Sequence, residues 1–201
     1  MTRIIFVILG VLLASCAEKA PFVDPSREIQ LYGLSSPPPQ NGNWVIFTLS
    51  GNKVSFGKKG ENQNENHIVN VNVYVYKISK FLTDSEFLSY IEKKRAAETD
   101  TKRYEIIENE QKYEILNGAK CISYHLVAKD NSAEIKKDRE KTIFLENNGY
   151  HCIHLKDSNV GVQMEYLFHH DADTTYTSVV EDAKSFFNNI KFTESTKMQL
   201  H

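Results

Sequence analysis

Val69, Val71, Val73 and Val75 alternate with Asn70, Asn72, Tyr74 and Tyr76. Successive side chains of a strand point to opposite faces, so a period of two gathers all four valines on one face of a sheet. That face has to be covered by apolar layers, which commits the chain to a sheet packed on at least one side. The opposite face carries Tyr74 and Tyr76, for which two readings stand. Their amphipathic rings are of the kind that partner-binding surfaces use, and they are equally suited to lie beneath a helix.

The neighbouring segments extend this sheet. Residues 44–49 and 53–56 flank Ser50-Gly51-Asn52, a turn-type cluster, and predict a hairpin, followed by a polar loop over 57–66. Thr83-Asp84-Ser85-Glu86 has the form of a capping box, opening a helix that carries Phe87, Leu88 and Ile91 inward and runs out near Ala97. Further strands are expected at 104–107, 121–128, 141–145, 150–155 and 160–168. Asn148-Gly149 is read as the hairpin turn between the third and fourth of these. In the last strand Val162, Met164, Tyr166 and Phe168 alternate, and a final helix over 178–189 places Val179, Ala183, Phe186 and Ile190 on one stripe, widened by Phe187. There are no internal repeats. The expected class is α+β, a mainly antiparallel sheet packed by helices.

The strand order and the ending Val179-Val180-Glu181-Asp182-Ala183-Lys184-Ser185-Phe186-Phe187-Asn188-Asn189-Ile190-Lys191-Phe192 resemble the PsbP-like α/β/α sandwich over residues 44–192. That fold occurs in photosystem extrinsic proteins and in small bacterial lipoproteins. The resemblance implies helices on both sheet faces, and a role assisting larger complexes.

The N-terminus carries a different signal. Arg3 precedes an unbroken run of apolar residues and Gly from Ile4 to Leu13, about half the length needed to span a bilayer, which is the layout of an export signal. Leu13-Ala14-Ser15-Cys16 resembles the lipobox of bacterial lipoproteins, which implies cleavage before Cys16 and a lipid anchor on its sulfur. Two or more acyl chains give stable anchoring. Ala17, where an Asp would resemble an inner-membrane retention signal, favours the outer membrane, on its periplasmic face. The chain then divides into a signal peptide (1–15), a lipidated cysteine with a Pro-containing tether (16–43), one α+β domain (44–193) and a tail (194–201). Within the tether, Ile29 to Leu34 offers a short strand to the domain.

The chain has 24 Lys and Arg against 26 Asp and Glu, without the basic surplus that a nucleic-acid binder needs. The run at 136–141 mixes signs and reads as a solvated edge. No G-x-S-x-G elbow, H-E-x-x-H helix, P-loop or C-x-x-C is present, so no catalytic residue and no cofactor is assigned.

With Cys16 lipidated, Cys121 and Cys152 remain as an even pair in an oxidising compartment, which invites a disulfide. A simple meander opposes it. If the strand at 141–145 lies between them, the two cysteine strands sit about 9.6 Å apart, beyond the roughly 7 Å that a disulfide spans. Cys121, His125, Cys152 and His154 also form a zinc set by residue type, though at a spacing that matches no known finger. His169-His170-Asp171-Ala172-Asp173 could take a cation weakly or be an ordinary solvated loop. No metal site is assigned. The expected function is a membrane-anchored lipoprotein of the bacterial envelope, a non-enzymatic binding or accessory module for an envelope protein. The alternatives are a small-molecule or metal-binding lipoprotein, or an enzyme without a recognisable motif.

Overall fold

The valine strand lies near the middle of the principal sheet. The computed structural model describes residues 21–40, 43–59, 68–132, 142–171 and 177–194. In chain order the elements are β1 (Ile29–Leu31), β2 (Leu34–Ser36), β3 (Val45–Leu49), β4 (Lys53–Lys59), β5 (Ile68–Lys77), α1 (Asp84–Glu98), β6 (Tyr104–Leu116), β7 (Ala119–Asp130), β8 (Phe144–Ile153), β9 (Val160–His170), α2 (Thr177–Asn188) and β10 (Lys191–Phe192). Seven strands form one antiparallel sheet in the order β3-β4-β5-β9-β8-β7-β6, and β1-β2-β10 form a small second sheet. The fold is α+β, with one helix on each face of the large sheet.

The valine face is the apolar one. Val69, Val71, Val73 and Val75 pair with Phe168, Tyr166, Met164 and Val162 of β9, and all eight side chains are buried. Ala183, Phe186 and Phe187 of α2, with Ile190 just beyond its end, cover them. Phe186 meets Phe56 edge-on with centroids 5.5 Å apart, and Phe187 stacks near Tyr166 at 6.2 Å. The other face takes α1. Thr83 caps it by accepting from the Glu86 amide at 3.1 Å, while the Glu86 carboxylate reaches back to the Leu82 amide at 2.8 Å. Phe87 and Ile91 pack on Ile122, forming a much smaller apolar cluster than the one under α2.

Two Asn-Gly pairs behave in opposite ways. Asn117-Gly118, which the sequence reading passed over, makes the β6–β7 hairpin with φ of +51° and +82°, the sign a tight primed turn requires. The Asn117 amide then donates to the Phe187 and Ile190 carbonyls at 3.0 and 2.9 Å, tying the hairpin to the end of α2. Asn148-Gly149, expected as a turn, instead lies within β8. Asn148 pairs with His125 on one side and Tyr166 on the other, so the two strands expected at 141–145 and 150–155 are one continuous strand. Glycine serves packing there. A Cβ at Gly149 would collide with the Met164 carbonyl and stand 2.7 Å from the Tyr124 hydroxyl. Gly149→Ala is expected to cost about 3 kcal/mol, because backbone on one side leaves it nowhere to move. A urea midpoint shift at unchanged m-value is the check.

The folded domain also begins earlier than residue 44. Phe22 bridges to Val45, the Ile46 amide donates to the Pro21 carbonyl at 2.9 Å, and Ile29 and Leu34 are buried in the main core. Residues 21–40 are thus part of the domain rather than a tether; the short strand expected at 29–34 is present as β1 and β2, while the docking of residues 21–23 on β3 leaves no periodic signal along the segment. At the other end the Thr193 amide donates to the Gly33 carbonyl at 2.8 Å, next to β10.

Candidate functional site

The α1 face holds the molecule's least ordinary chemistry. The inward stripe of the helix is Phe87, Ile91 and Arg95, four residues apart, and its third member is a cation where a core helix would carry an apolar residue. Beneath it, period-two alternation brings Asn72 from β5, Gln163 and Glu165 from β9, Asn147 from β8 and Tyr124 from β7 onto one face. They meet at Glu165, which is only 8% exposed. Its carboxylate accepts from Asn72 Nδ2 at 3.1 Å, Tyr124 Oη at 3.0 Å, Gln163 Nε2 at 3.1 Å and, more weakly, Asn147 Nδ2 at 3.4 Å. Asn72 in turn accepts from Ser55 at 2.6 Å. One buried carboxylate therefore organises donors from four strands.

Arg95 lies against this network, its guanidinium carbon 3.5 Å from the Tyr124 ring centroid. Among the described residues no carboxylate comes within ion-pairing distance of it, and its Nε and the Asn147 Oδ1 are buried without hydrogen-bond partners. Burial draws its pKa down, while the nearby Tyr124 and Glu165 act the other way. A guanidinium keeps its proton under such pressure. Burial likewise pushes the Tyr124 hydroxyl well above its usual range, with the Glu165 charge adding to the effect, so it remains a hydrogen-bond donor.

Toward the C-terminal end of α1 the network opens into a cleft of about 360 Å³, lined by Arg95, Glu98, Tyr74, Tyr104, Asn147 and Glu165 among others. That is the lower end of the range for small-molecule sites. Its groups suit recognition. The Glu165 oxygens are held by fixed donors, Arg95 offers a cation, and Asn147 offers an unused acceptor.

Next to the cleft, His151 is buried with Nδ1 3.1 Å from the Tyr76 hydroxyl. Burial, reinforced by Lys94 and Arg95, pushes its pKa down to about 3. The unfolded chain takes up this proton near pH 6.5, so the stability due to neutral His151 is full above that value. It is lost as pH falls toward about 3. Between pH 7.5 and 5 the loss is about 2 kcal/mol. His151→Phe should flatten the upper part of the acid-unfolding profile, measured by urea titration at each pH.

Tyr76 is half-buried under α1, with Lys94 Nζ 5.2 Å from its ring centre and its hydroxyl held by His151, so the helix occupies the surface a partner would need. Tyr74 stands at the cleft, with Lys53 Nζ 4.7 Å above its ring. Cys121 and Cys152 face each other in register on β7 and β8 and form a disulfide, with Cα atoms 4.0 Å apart. No strand separates them, because residues 144–153 are a single strand.

The four-residue zinc set does not assemble. Both thiols are in the disulfide. His154 accepts from the Lys156 amide at Nδ1 and donates from Nε2 to the Gly33 carbonyl at 2.7 Å. His125 sits four residues along β7 from Cys121, between Glu108 at 2.9 Å and Glu146 at 3.2 Å. His169 and His170 point to opposite faces of β9, toward Asp130 and Glu146, while residues 172–173 lie outside the described residues, as does Cys16.

The sequence reading missed Arg95, Tyr124, Asn147, Gln163 and Glu165. A signal for Arg95 was present, since a charge occupies the third turn of the stripe begun by Phe87 and Ile91.

The chain matches no protein-family model and no curated protein. Among solved structures it is similar to an E65A mutant of protein Mog1, at 9% identity and a TM-score of 0.47, with 84% of this chain and 96% of that one covered. It is also similar to cyanobacterial PsbP (CyanoP) from Synechocystis sp. PCC 6803, at 14% identity and a TM-score of 0.44, with 90% and 98% covered. At these scores the likeness is one of overall outline and bears on no functional question.

Proposed function

We propose that this chain is a non-enzymatic binding module of the bacterial envelope, lipid-anchored through Cys16, which engages an envelope protein at the cleft beside α1. The observation that carries the binding role is the Glu165 network, a preorganised polar surface under a helix where an apolar core would be the cheaper arrangement. The buried disulfide supports an oxidising compartment. Export and anchoring rest on the lipobox-like residues 13–16, and the periplasmic face of the outer membrane rests on Ala17.

A photo-crosslinking residue at Tyr74, in live cells, should capture one discrete envelope protein that the same residue at Ile107, on the far edge strand, does not. Identical adducts at both positions, or none under several growth conditions, would count against the partner. Cys16→Ser should move the chain from the membrane to the soluble fraction. A second reading, capture of a small polar molecule, is favoured by the size of the cleft and by the Arg95 Nε that lacks a hydrogen-bond partner. Native mass spectrometry of the full chain from its host would show it as retained extra mass that Arg95→Met abolishes.

A further inference from the structure

The two edges of the large sheet are chemically unlike. On β6, exposed Ile106, Ile107, Tyr113 and Ile115 are interleaved with Glu105, Glu108, Glu110, Lys112 and Glu114, a charged and net acidic edge that resists pairing. The β3 edge is apolar. There Phe22 is 72% exposed, and Phe47 and Leu49 are each 50% exposed. With Pro21 and Ile46 they line one groove of about 780 Å³. Residues of this kind singly exposed are ordinary, but three in one groove are a patch.

The groove also lies where the chain enters the domain. Pro21 is hydrogen-bonded to Ile46, and it stands only five positions after Cys16 in the chain. Fully extended, five residues span at most about 18 Å, so a lipid on Cys16 would keep this edge close to the bilayer. Resting on the lipid-anchor reading, we infer that the β3 edge is the membrane-facing surface, with Phe22, Phe47 and Leu49 entering the boundary between headgroups and acyl chains. The occupant is a phospholipid bilayer. The charged residues on the rim, Asp24, Arg27 and Glu28, are of mixed sign, so apolar burial rather than headgroup charge drives the contact. The acidic β6 edge, at the other end of the sheet, then faces away from anionic lipid.

The test uses the full lipidated chain in vesicles of phosphatidylcholine and phosphatidylglycerol (3:1) containing a doxyl-labelled lipid. Phe22→Trp, Phe47→Trp and Ile115→Trp are compared against the constant background of buried Trp44. These are exposed positions, and the substitutions should leave folding intact. If the inference holds, the first two lose about half of their added emission to a shallow quencher and the third loses none. Flotation with the vesicles but without quenching, or with equal quenching at Ile115→Trp, overturns the docking surface and leaves the anchor standing. Quenching that is absent because light scattering shows a dimer burying the groove also overturns it. Failure to float removes the anchor reading itself, and this inference with it.

Discussion

Glu165→Ala is expected to destabilise the domain by about 3–5 kcal/mol, a large share of the total stability of a domain this size. The deletion leaves Asn72, Tyr124, Asn147 and Gln163 pointing donors at an empty site. Each buried polar group left unsatisfied costs about 1–3 kcal/mol, partly recovered as the side chains relax. It also removes the negative charge that offsets Arg95. Glu165→Gln keeps the shape and one acceptor but turns an amide toward the donors, so a smaller loss of about 2 kcal/mol is expected. In a double-mutant cycle, Arg95→Met should recover part of the Glu165→Ala loss, because the second change removes a cation that the first has stranded. Urea unfolding of the four proteins measures this. A loss below about 1 kcal/mol for Glu165→Ala, or strict additivity, would show that the network does not act as a unit.

Removal of the disulfide is the second large effect. The bond closes a loop of 31 residues between Cys121 and Cys152, for which chain entropy gives about 3.5 kcal/mol. Cys121→Ala with Cys152→Ala should therefore cost about 2–4 kcal/mol and lower Tm by roughly 8 °C, the cavity left by two sulfurs adding to the entropy term. Both cysteines are fully buried, so a thiol reductant reaches the bond only through opening of the β7–β8 pair. Reduction of the native chain should then track the rate of unfolding measured by denaturant jump, and rapid reduction under native conditions would contradict the burial.

How much of this was legible in the sequence depended on whether a signal was local. The Thr83 cap, the valine strand and the aromatic stripe of α2 were, because capping and periodicity are set by residues within a few positions of one another. The Asn-Gly at 148–149 misled for the same reason. Locally it has turn chemistry, but strands on both sides and the Tyr124 hydroxyl over Gly149 hold it extended. That error also produced the false distance argument against a Cys121–Cys152 pair. At 21–40 the opposite occurred. Segments too short to show a pattern joined the domain by docking against residues far along the chain, such as Val45 and Phe192.

The polar site lay beyond local reading altogether. Alternation told that Asn72, Tyr74 and Tyr76 share a face, and the same rule groups Gln163 with Glu165. It cannot tell whether such a face is wet. The sequence alone determined the residue types, the strand and helix periods, and which side chains share a face, since all of these follow from backbone geometry repeated over neighbouring residues. Only the tertiary structure decided that α1 closes over the asparagine and tyrosine face, bringing Arg95 onto Tyr124 and four side chains to Glu165. That outcome depends on strand order and helix docking, contacts between residues as far apart as Asn72 and Glu165, which no window along the chain contains.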